Sequence, residues 1–314
     1  MYLETGHSEK GVTLVRVSKK HILKLARTRL KKCVSIAPRL LVDDDPQDIH
    51  DLRVSSRRLQ QLVGLLFPKR RRGKSRKVLR SLRTVRRDWS VCRNLDVNLD
   101  LLREKLESVK TDANRDAWYH VREYISDLRA QEFADARKRL RRLDLLGLID
   151  KTQRLLKAVQ GENAQELILV DSFANTLARW CEALAQAKRS KDPEHLHELR
   201  ISGKRLRYRF EVLAELGDGA AKSHVKSLKA LQDELGRWHD RHVLLKLVKE
   251  LNRKPEFLGE QPEIQQVLES DIENDRQNND SAIDEILTAA ESLQFELDHC
   301  NPAPEPDYDL TASS

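Results

Sequence analysis

Apolar residues recur every three or four positions along most of the chain, a spacing typical of amphipathic α-helices that pack against a core. The first run predicts a helix from about Val12 to Pro38. Later runs predict further helices at about residues 46–67, 76–89, 96–102, 113–143, 145–159, 167–184, 194–216, 228–238 and, as one or two helices, 264–293. Because no apolar–polar alternation extends beyond a few residues, the sequence predicts an all-α fold.

A ten-residue stretch occurs twice within this helical pattern. Residues 50–59 read His-Asp-Leu-Arg-Val-Ser-Ser-Arg-Arg-Leu, and residues 197–206, 147 positions later, read His-Glu-Leu-Arg-Ile-Ser-Gly-Lys-Arg-Leu. All ten positions agree in identity or in type. An internal repeat of this kind predicts two similar halves of one architecture, here two antiparallel helical bundles related by a pseudo-two-fold axis.

Each copy of the repeat, drawn as a helix at 100° per residue, separates a basic face from an apolar face. Arg53 and Arg57 fall within about 60° of His50, whereas Leu52 and Leu59 fall on the opposite side. The second copy places His197, Arg200, Lys204 and Arg207 on one side and leucines on the other. An exposed helix face usually mixes charges, and the planar fork of Arg suits bidentate contacts to phosphate. We therefore interpret the two basic faces as a polyanion-binding surface and not only as solvated charge.

The charge of the chain is divided unevenly. The net charge of the 314 residues is +8, but residues 255–314 contain 16 acidic residues and one basic residue, a net charge of −15. The first 254 residues therefore carry a net charge of +23, which attracts polyanions over long range. Residues 69–93 are the most basic part, and their Lys69–Arg72 run is predicted to be a turn or an auxiliary anion contact.

Other features limit the class of protein. No run approaches the roughly 18 apolar residues of a membrane span, and the first ten residues lack the apolar core of a signal peptide. The four cysteines have no Cys-x-x-Cys spacing and are expected to be reduced structural thiols. With aromatic residues at only 5%, stacking platforms for single-stranded nucleic acid are disfavoured. These features predict a cytoplasmic protein that needs no membrane.

At the paired helices the chain resembles a CHAD domain, the conserved histidine α-helical domain. A segment after each repeat helix strengthens the likeness. Residues 89–97 keep Arg93, Asp96 and Val97 of the family's Leu-Gly-x-x-Arg-Asp-x-Asp-Val-like segment, and residues 235–243 keep its Leu-Gly start and Asp240. The resemblance covers residues 12–297, with half one at about 12–143, a connector at 144–162 and half two at about 163–297. Residues 1–11 are predicted to be disordered, and residues 298–314 form an acidic tail.

The resemblance implies a basic central groove that binds inorganic polyphosphate. From the sequence we expect no catalysis, no cofactor and no metal, and a location in the cytoplasm with polyphosphate granules as a candidate place there; the oligomeric state is left open. The predicted polyphosphate-binding residues are His50, Arg53, Arg57, Arg58, Arg83, Arg86, Arg87, Arg93, His197, Arg200, Lys204, Arg205, Arg207, Lys226, Lys229 and Arg237. One departure is the acidic final helix region, 263–285, which must either face away from such a groove or weaken binding.

Alternative functions rank lower. A metal site at His195 and His197 fails because that spacing points two imidazoles about 200° apart on a helix. The chain has no phosphate-binding GxxxxGK[ST] loop and no GxSxG elbow, so no catalysis is expected. Non-specific binding to a DNA or RNA backbone is the leading alternative, although no helix-turn-helix or RNA-binding signature appears. A scaffold role on a granule would be compatible with polyphosphate binding.

Overall fold

A computed structural model describes residues 5–8, 12–67, 73–160, 166–171, 173–259 and 262–299. Most of these residues are helical, which confirms the predicted all-α class. The predicted Lys69–Arg72 turn and the acidic tail from residue 300 onwards lie outside the described residues. No helix among the described ranges is both long enough and apolar enough to cross a membrane.

Within the described ranges, the first part of the chain contributes six helices and the second part contributes six. The first six are α1 Lys19–Ile36, α2 Pro46–Leu66, α3 Lys74–Asp88, α4 Ser90–Ser108, α5 Asp112–Arg142 and α6 Leu145–Gln160. The others are α7 Phe173–Ser190, α8 Pro193–Glu215, α9 Gly219–Leu251, α10 Pro255–Leu258, α11 Pro262–Asp280 and α12 Ile283–His299.

The two repeat helices, α2 and α8, begin in the same way. Each has a proline at its first position and an aspartate just before it, Asp45 or Asp192. The carboxylate of Asp45 accepts a hydrogen bond from the backbone N–H of Gln47, and that of Asp192 accepts one from His195. Such caps satisfy backbone donors that a helix start leaves without partners. Both basic faces therefore lie on helices that begin at an Asp-Pro pair.

Three short strands differ from the sequence prediction. They are β1 Thr5–Ser8, β2 Val12–Ser18 and β3 Glu166–Asp171, joined antiparallel in the order β1-β2-β3. The prediction of helix from Val12 and from Leu167 was wrong over these residues, as was disorder at residues 5–8. The physical reason is β-branched residues, four of the seven in β2 and two of the six in β3, which favour strands over helix.

The interior consists of three buried apolar clusters. One lies among α1, α2, α3 and α6 and includes Leu52 and Leu59; a second lies among α7, α8, α9 and α12 and includes Leu199 and Leu206. The third unites α4 and α5 with α9, α10 and α11, and includes Trp118. The third cluster shows that the two parts of the chain share a core, a connection that the repeat alone does not predict. The two-fold relation between the halves stays a prediction.

Candidate functional site

A cavity of about 830 Å³, here called the central cavity, lies between α2 and α8. Residues of α3, α4 and α9 also line it. Ten of the sixteen predicted binding residues line it: His50, Arg53, Arg57, Arg83, Arg86, Arg93, His197, Arg200, Lys204 and Arg205. The basic faces of α2 and α8 are thus brought together at one place.

Packing of the two repeat helices explains why their basic faces meet. Leu52 and Leu59 of α2, and Leu199 and Leu206 of α8, have at most 1% of their surface exposed. Because these leucines fill the cores on either side, the opposite faces of both helices are turned towards the space between them. Burial of the apolar face thereby determines the position of each cationic side chain.

The long cationic side chains are held by different partners. Arg53 Nη1 donates to the backbone carbonyl of Arg86 at 2.6 Å, and Arg57 Nη1 donates to the hydroxyl of Tyr208 at 2.9 Å. Arg200 Nη2 lies 3.5 Å from Asp240 Oδ1, a long and weak contact. Two of these three arginines are therefore oriented without any carboxylate to neutralise them.

Burial and the close approach of several arginines lower the pKa of two arginines in the central cavity. Burial, together with the charges of Arg57 and Arg93, lowers the pKa of Arg53 to about 10. Burial together with Arg57, Arg53 and Arg83 likewise lowers the pKa of Arg86 to about 10. Both guanidinium groups remain charged at neutral pH, so the cavity concentrates positive charge that an anion would stabilise.

Weaker bases in the cavity lose protons at neutral pH. Burial, Arg200 and Arg57 lower the pKa of Lys204 to about 7. Burial and nearby cations also lower the pKa of His50 and of His197, and they lower that of His239 to about 3. Without an anion these imidazoles are neutral at pH 7, whereas a phosphate beside them would favour their charged form.

Two nitrogen atoms of the cavity arginines are buried without a partner. Arg86 Nη1 and Arg200 Nε have no hydrogen-bond acceptor within the part of the chain that the structure describes. Buried donors are normally satisfied, because leaving one without an acceptor costs roughly 1–3 kcal/mol. A phosphate oxygen in the central cavity is the kind of acceptor that would relieve this cost.

Asp240 is the one carboxylate among the residues that line the cavity. Burial raises its pKa, while Arg200, Lys204 and Arg93 act in the opposite direction. The position 146 residues earlier is Asn94, which also lines the cavity. The two sides of the cavity therefore differ by one negative charge.

Six of the predicted binding residues lie outside the central cavity. Arg58 and Arg207 each form an ion pair with the buried carboxylate of Glu211, at 3.5 Å and 3.6 Å. The other four are exposed on α3 and α9: Arg87, Lys226, Lys229 and Arg237. Arg87 lies beside Asp88, and Arg237 forms an ion pair with Glu234.

Several lining residues were not among the predicted binding residues, most notably Gln61, Tyr208 and His239. Gln61 and Tyr208 each lie eleven residues after a repeat histidine, which places them about 20° from it on the helix. The helical angle would therefore have identified them. His239 aligns with Arg93 in the two family-like segments. The alignment would therefore have identified His239 as a candidate lining residue.

The acidic helices face away from the central cavity. Helix α11 packs against α9 and α5, and α12 packs against α9 and α7; neither contributes a lining residue. Part of their charge is paired with basic residues of the body, as in Lys105–Asp275 and Lys191–Asp284. Of the two alternatives for the acidic region, the structure therefore shows the one in which it faces away from the cavity.

The described residues contain no group of three or more His, Cys, Asp or Glu side chains that could hold a metal ion. His197 and His239 do approach each other, with ring centroids 4.8 Å apart. Of the cysteines, Cys33, Cys92 and Cys181 form no disulfide bond within the described residues, and Cys300 lies outside them.

Comparisons with known proteins agree with this picture. A family model described as "CHAD domain" matches residues 24–249. A crystal structure of the CHAD domain from the plant Ricinus communis is similar in fold, with a TM-score of 0.60 and 19% sequence identity. That match covers 88% of this chain and 92% of the plant chain. No curated protein matches the chain.

Proposed function

The chain belongs to the CHAD domain family, and from this premise we propose that it binds inorganic polyphosphate in the central cavity, without catalytic turnover. The observation that carries the proposal is the convergence of the two basic faces, His50/Arg53/Arg57 and His197/Arg200/Lys204, on one cavity. Arg86 Nη1 and Arg200 Nε, which are buried without an acceptor among the described residues, are further donors for phosphate oxygens.

The chemistry of the ligand matches the chemistry of the cavity. Polyphosphate is a linear polyanion without bases, so a protein that binds it needs spaced cationic donors and no groups that read base edges. The central cavity offers such donors on five helices with one opposing carboxylate. Tyr208, its one large aromatic ring, lies beneath Arg57, with the guanidinium carbon 5.7 Å from the ring centroid. The ring therefore serves to orient an arginine.

Binding of a polyanion by this site would release counterions, so the affinity should fall steeply as salt rises. The same property is expected of nucleic-acid binding, which the net charge of +23 over residues 1–254 also permits. The distinction is the ligand preference: a cavity built for a chain of phosphates should favour polyphosphate over duplex DNA at equal phosphate concentration and equal salt. In this proposal the protein acts in the cytoplasm, where a polyphosphate granule presents the same polyanion.

The test is calorimetric titration with long-chain polyphosphate at low and moderate salt, with duplex DNA as competitor. We expect salt-sensitive binding that DNA does not displace. The variant R53E/R57E/R200E/K204E should abolish it while leaving the helical circular dichroism signal unchanged. The control variant K222E/K226E/K229E/R237E reverses four charges on α9 outside the cavity and should retain most of the affinity.

Two outcomes would contradict the proposal. If the cavity variant bound polyphosphate as tightly as the control variant, the central cavity would not be the site. If DNA displaced polyphosphate, the protein would instead be a general polyanion or nucleic-acid binder.

A further inference from the structure

The two copies of the repeat differ at one cationic position of the central cavity. Arg57 of α2 corresponds to Lys204 of α8, 147 residues later. Among the described residues that line the cavity, Lys204 is the only lysine. A guanidinium group stays charged in proteins, whereas a lysine amine that has lost its proton attacks carbonyl carbon atoms. The second copy of the repeat therefore places one potential nucleophile among arginines.

No acidic side chain holds the proton of Lys204. The side chain is half-buried, and it forms no hydrogen bond or ion pair within the part of the chain that the structure describes. The charged and titratable groups around its amine come from α2, α8 and α9: Arg57, His197, Arg200, Arg207, His239 and Asp240. Asp240 is the one acid in this set, so burial and the cationic neighbours favour the neutral amine.

The neutral form is therefore abundant at neutral pH. Burial, Arg200 and Arg57 lower the pKa of Lys204 to about 7, so about half of the amines are neutral at pH 7. An amine with the usual pKa of about 10.4 is neutral in only about 1 molecule in 2,500 at that pH. Lys204 thus combines a place in a cavity with an amine that is ready to react.

Arg200 lies one helical turn before Lys204 and has a donor to spare. Residues four positions apart on a helix have Cβ atoms about 5–6 Å from each other. Arg200 Nε is buried without an acceptor among the described residues. From the facing helix, Arg57 is oriented by the hydroxyl of Tyr208 and by no carboxylate. A phosphate group bound by Arg200 would therefore lie next to the amine of Lys204.

From these observations we propose that Lys204 is a site of acylation by small acyl phosphates, in which a carbonyl carbon is joined through one oxygen to phosphorus. The neutral amine attacks the carbonyl carbon, a C–N bond forms, and the C–O bond to the phosphate breaks. The phosphate leaves with the electron pair of that bond, and the nitrogen releases one proton to solvent. Arg200 would stabilise the negative charge that develops on the leaving phosphate.

This inference goes beyond the proposed function and does not depend on polyphosphate binding. It requires only that the cavity accept one phosphate group beside Lys204. An acylated Lys204 carries no charge at any pH, so on the proposed function acylation would lower the affinity of the cavity for polyphosphate.

The first test incubates the wild-type protein with acetyl phosphate at pH 7.5 and follows acetylation of each lysine by peptide mass spectrometry. Lys204 should react at least about tenfold faster than the exposed α9 lysines Lys222, Lys226 and Lys229, because a bound donor is held close to the amine. Inorganic pyrophosphate, which occupies the arginines but cannot acylate, should slow Lys204 and leave the α9 lysines unchanged. K204R should lose the fast reaction.

A second test separates recognition of the phosphate from the reactivity of the amine. An acetyl thioester without a phosphate group serves as the comparison donor. R200Q should lower the ratio of the Lys204 rate with acetyl phosphate to its rate with the thioester by about tenfold, the loss expected for one charge-assisted contact. The ratio cancels any change in the protonation of Lys204. R237Q removes an exposed arginine outside the central cavity and should keep the wild-type ratio.

Each outcome decides the inference. If acetyl phosphate modifies Lys204 no faster than the α9 lysines, or if pyrophosphate does not slow Lys204, the inference is overturned without recourse to any variant. If R200Q retains the wild-type ratio, Arg200 does not recognise the phosphate and the assignment to acyl phosphates fails. A protein in which Lys204 is acetylated in this selective way but which does not bind polyphosphate would contradict the proposed function alone.

Discussion

Helix α3 and the first part of α9 carry basic residues at corresponding positions, but their surroundings differ. Arg76, Arg80 and Arg83 precede Lys222, Lys226 and Lys229 by 146 residues. The arginines line a cavity of about 1030 Å³ that adjoins the central cavity. The lysines are exposed and lie outside both of these cavities. A repeated basic pattern therefore does not by itself make a repeated binding surface, because the neighbouring elements determine what each cation faces.

The difference extends to the central cavity, where Arg53 and Arg200 occupy matched positions in the repeat. Arg53 is held by a backbone carbonyl, whereas Arg200 lies next to the carboxylate of Asp240. The first-half side therefore presents an uncompensated charge and the second-half side a partly compensated one. Four sets of variants test this asymmetry.

The largest effect should come from neutralising the first-half arginines. R53Q/R57Q should weaken polyphosphate binding at pH 7 by about a hundredfold, the loss expected for two charge-assisted hydrogen bonds. R200Q/K204Q should weaken it by only about tenfold, because Lys204 is partly deprotonated and Arg200 already has Asp240 beside it. Calorimetry at one low salt concentration measures both losses, and equal losses would contradict the asymmetry.

The next effect concerns the glutamate that distinguishes the second repeat helix. E211Q leaves Arg58 and Arg207 without their carboxylate, so we expect the free energy of unfolding to fall by about 2 kcal/mol, less than for a fully buried pair. G64Q, at the corresponding position of α2, should change it by less than about 0.5 kcal/mol. Urea denaturation followed by circular dichroism measures both. An unchanged free energy of unfolding in E211Q would show that the ion pairs of Glu211 do not stabilise the fold.

A pH dependence should appear on the second-half side. In the unliganded cavity the pKa of Lys204 is about 7, and a bound polyanion raises it because the charged amine is favoured. The affinity should therefore fall as pH rises from 7 towards 9, by at most about tenfold per pH unit for one linked proton. K204R stays charged over this range and should bind with less pH dependence. An identical pH profile in the two proteins would exclude Lys204 as the linked group.

The smallest effect should come from exchanging the single carboxylate of the central cavity. D240N makes the second-half side resemble the first, where Asn94 stands, and should tighten polyphosphate binding about threefold by removing one repulsive charge. N94D should weaken binding to a similar extent. Calorimetry at low salt detects changes of this size, and a loss of affinity in D240N would show that Asp240 supports binding by orienting Arg200.

Helical spacing predicted the features that depend on one helix alone. It gave the basic faces of α2 and α8, and the same spacing also marks Tyr208, which the structure places in the cavity. Spacing could not show that Lys226 and Lys229 would lie outside, because the angle around a helix does not reveal which neighbour packs there. Nor did it reveal strand β2, where β-branched residues prevail over the apparent helical period.

The core beneath α4, α5 and α9–α11 was hidden from sequence for a related reason. Its apolar residues have ordinary helical spacing, but contacts between distant parts of the chain are not encoded in the period of any single segment. The sequence therefore predicted two bundles, and it could not predict the shared core that joins their helices.

The crowded arginines of the central cavity have a consequence for the lifetime of the protein in a cell. Arg53 and Arg86 repel each other in the unliganded fold. On the proposed function, a bound polyphosphate would relieve this repulsion and stabilise the native state relative to the unfolded state. At a free ligand concentration 100 times the dissociation constant, this stabilisation is about 2.7 kcal/mol. If the protein does bind polyphosphate, a scarcity of the ligand would let the chain unfold more often and expose it to proteases. Its abundance would then follow the phosphate reserve of the cell without any dedicated regulator.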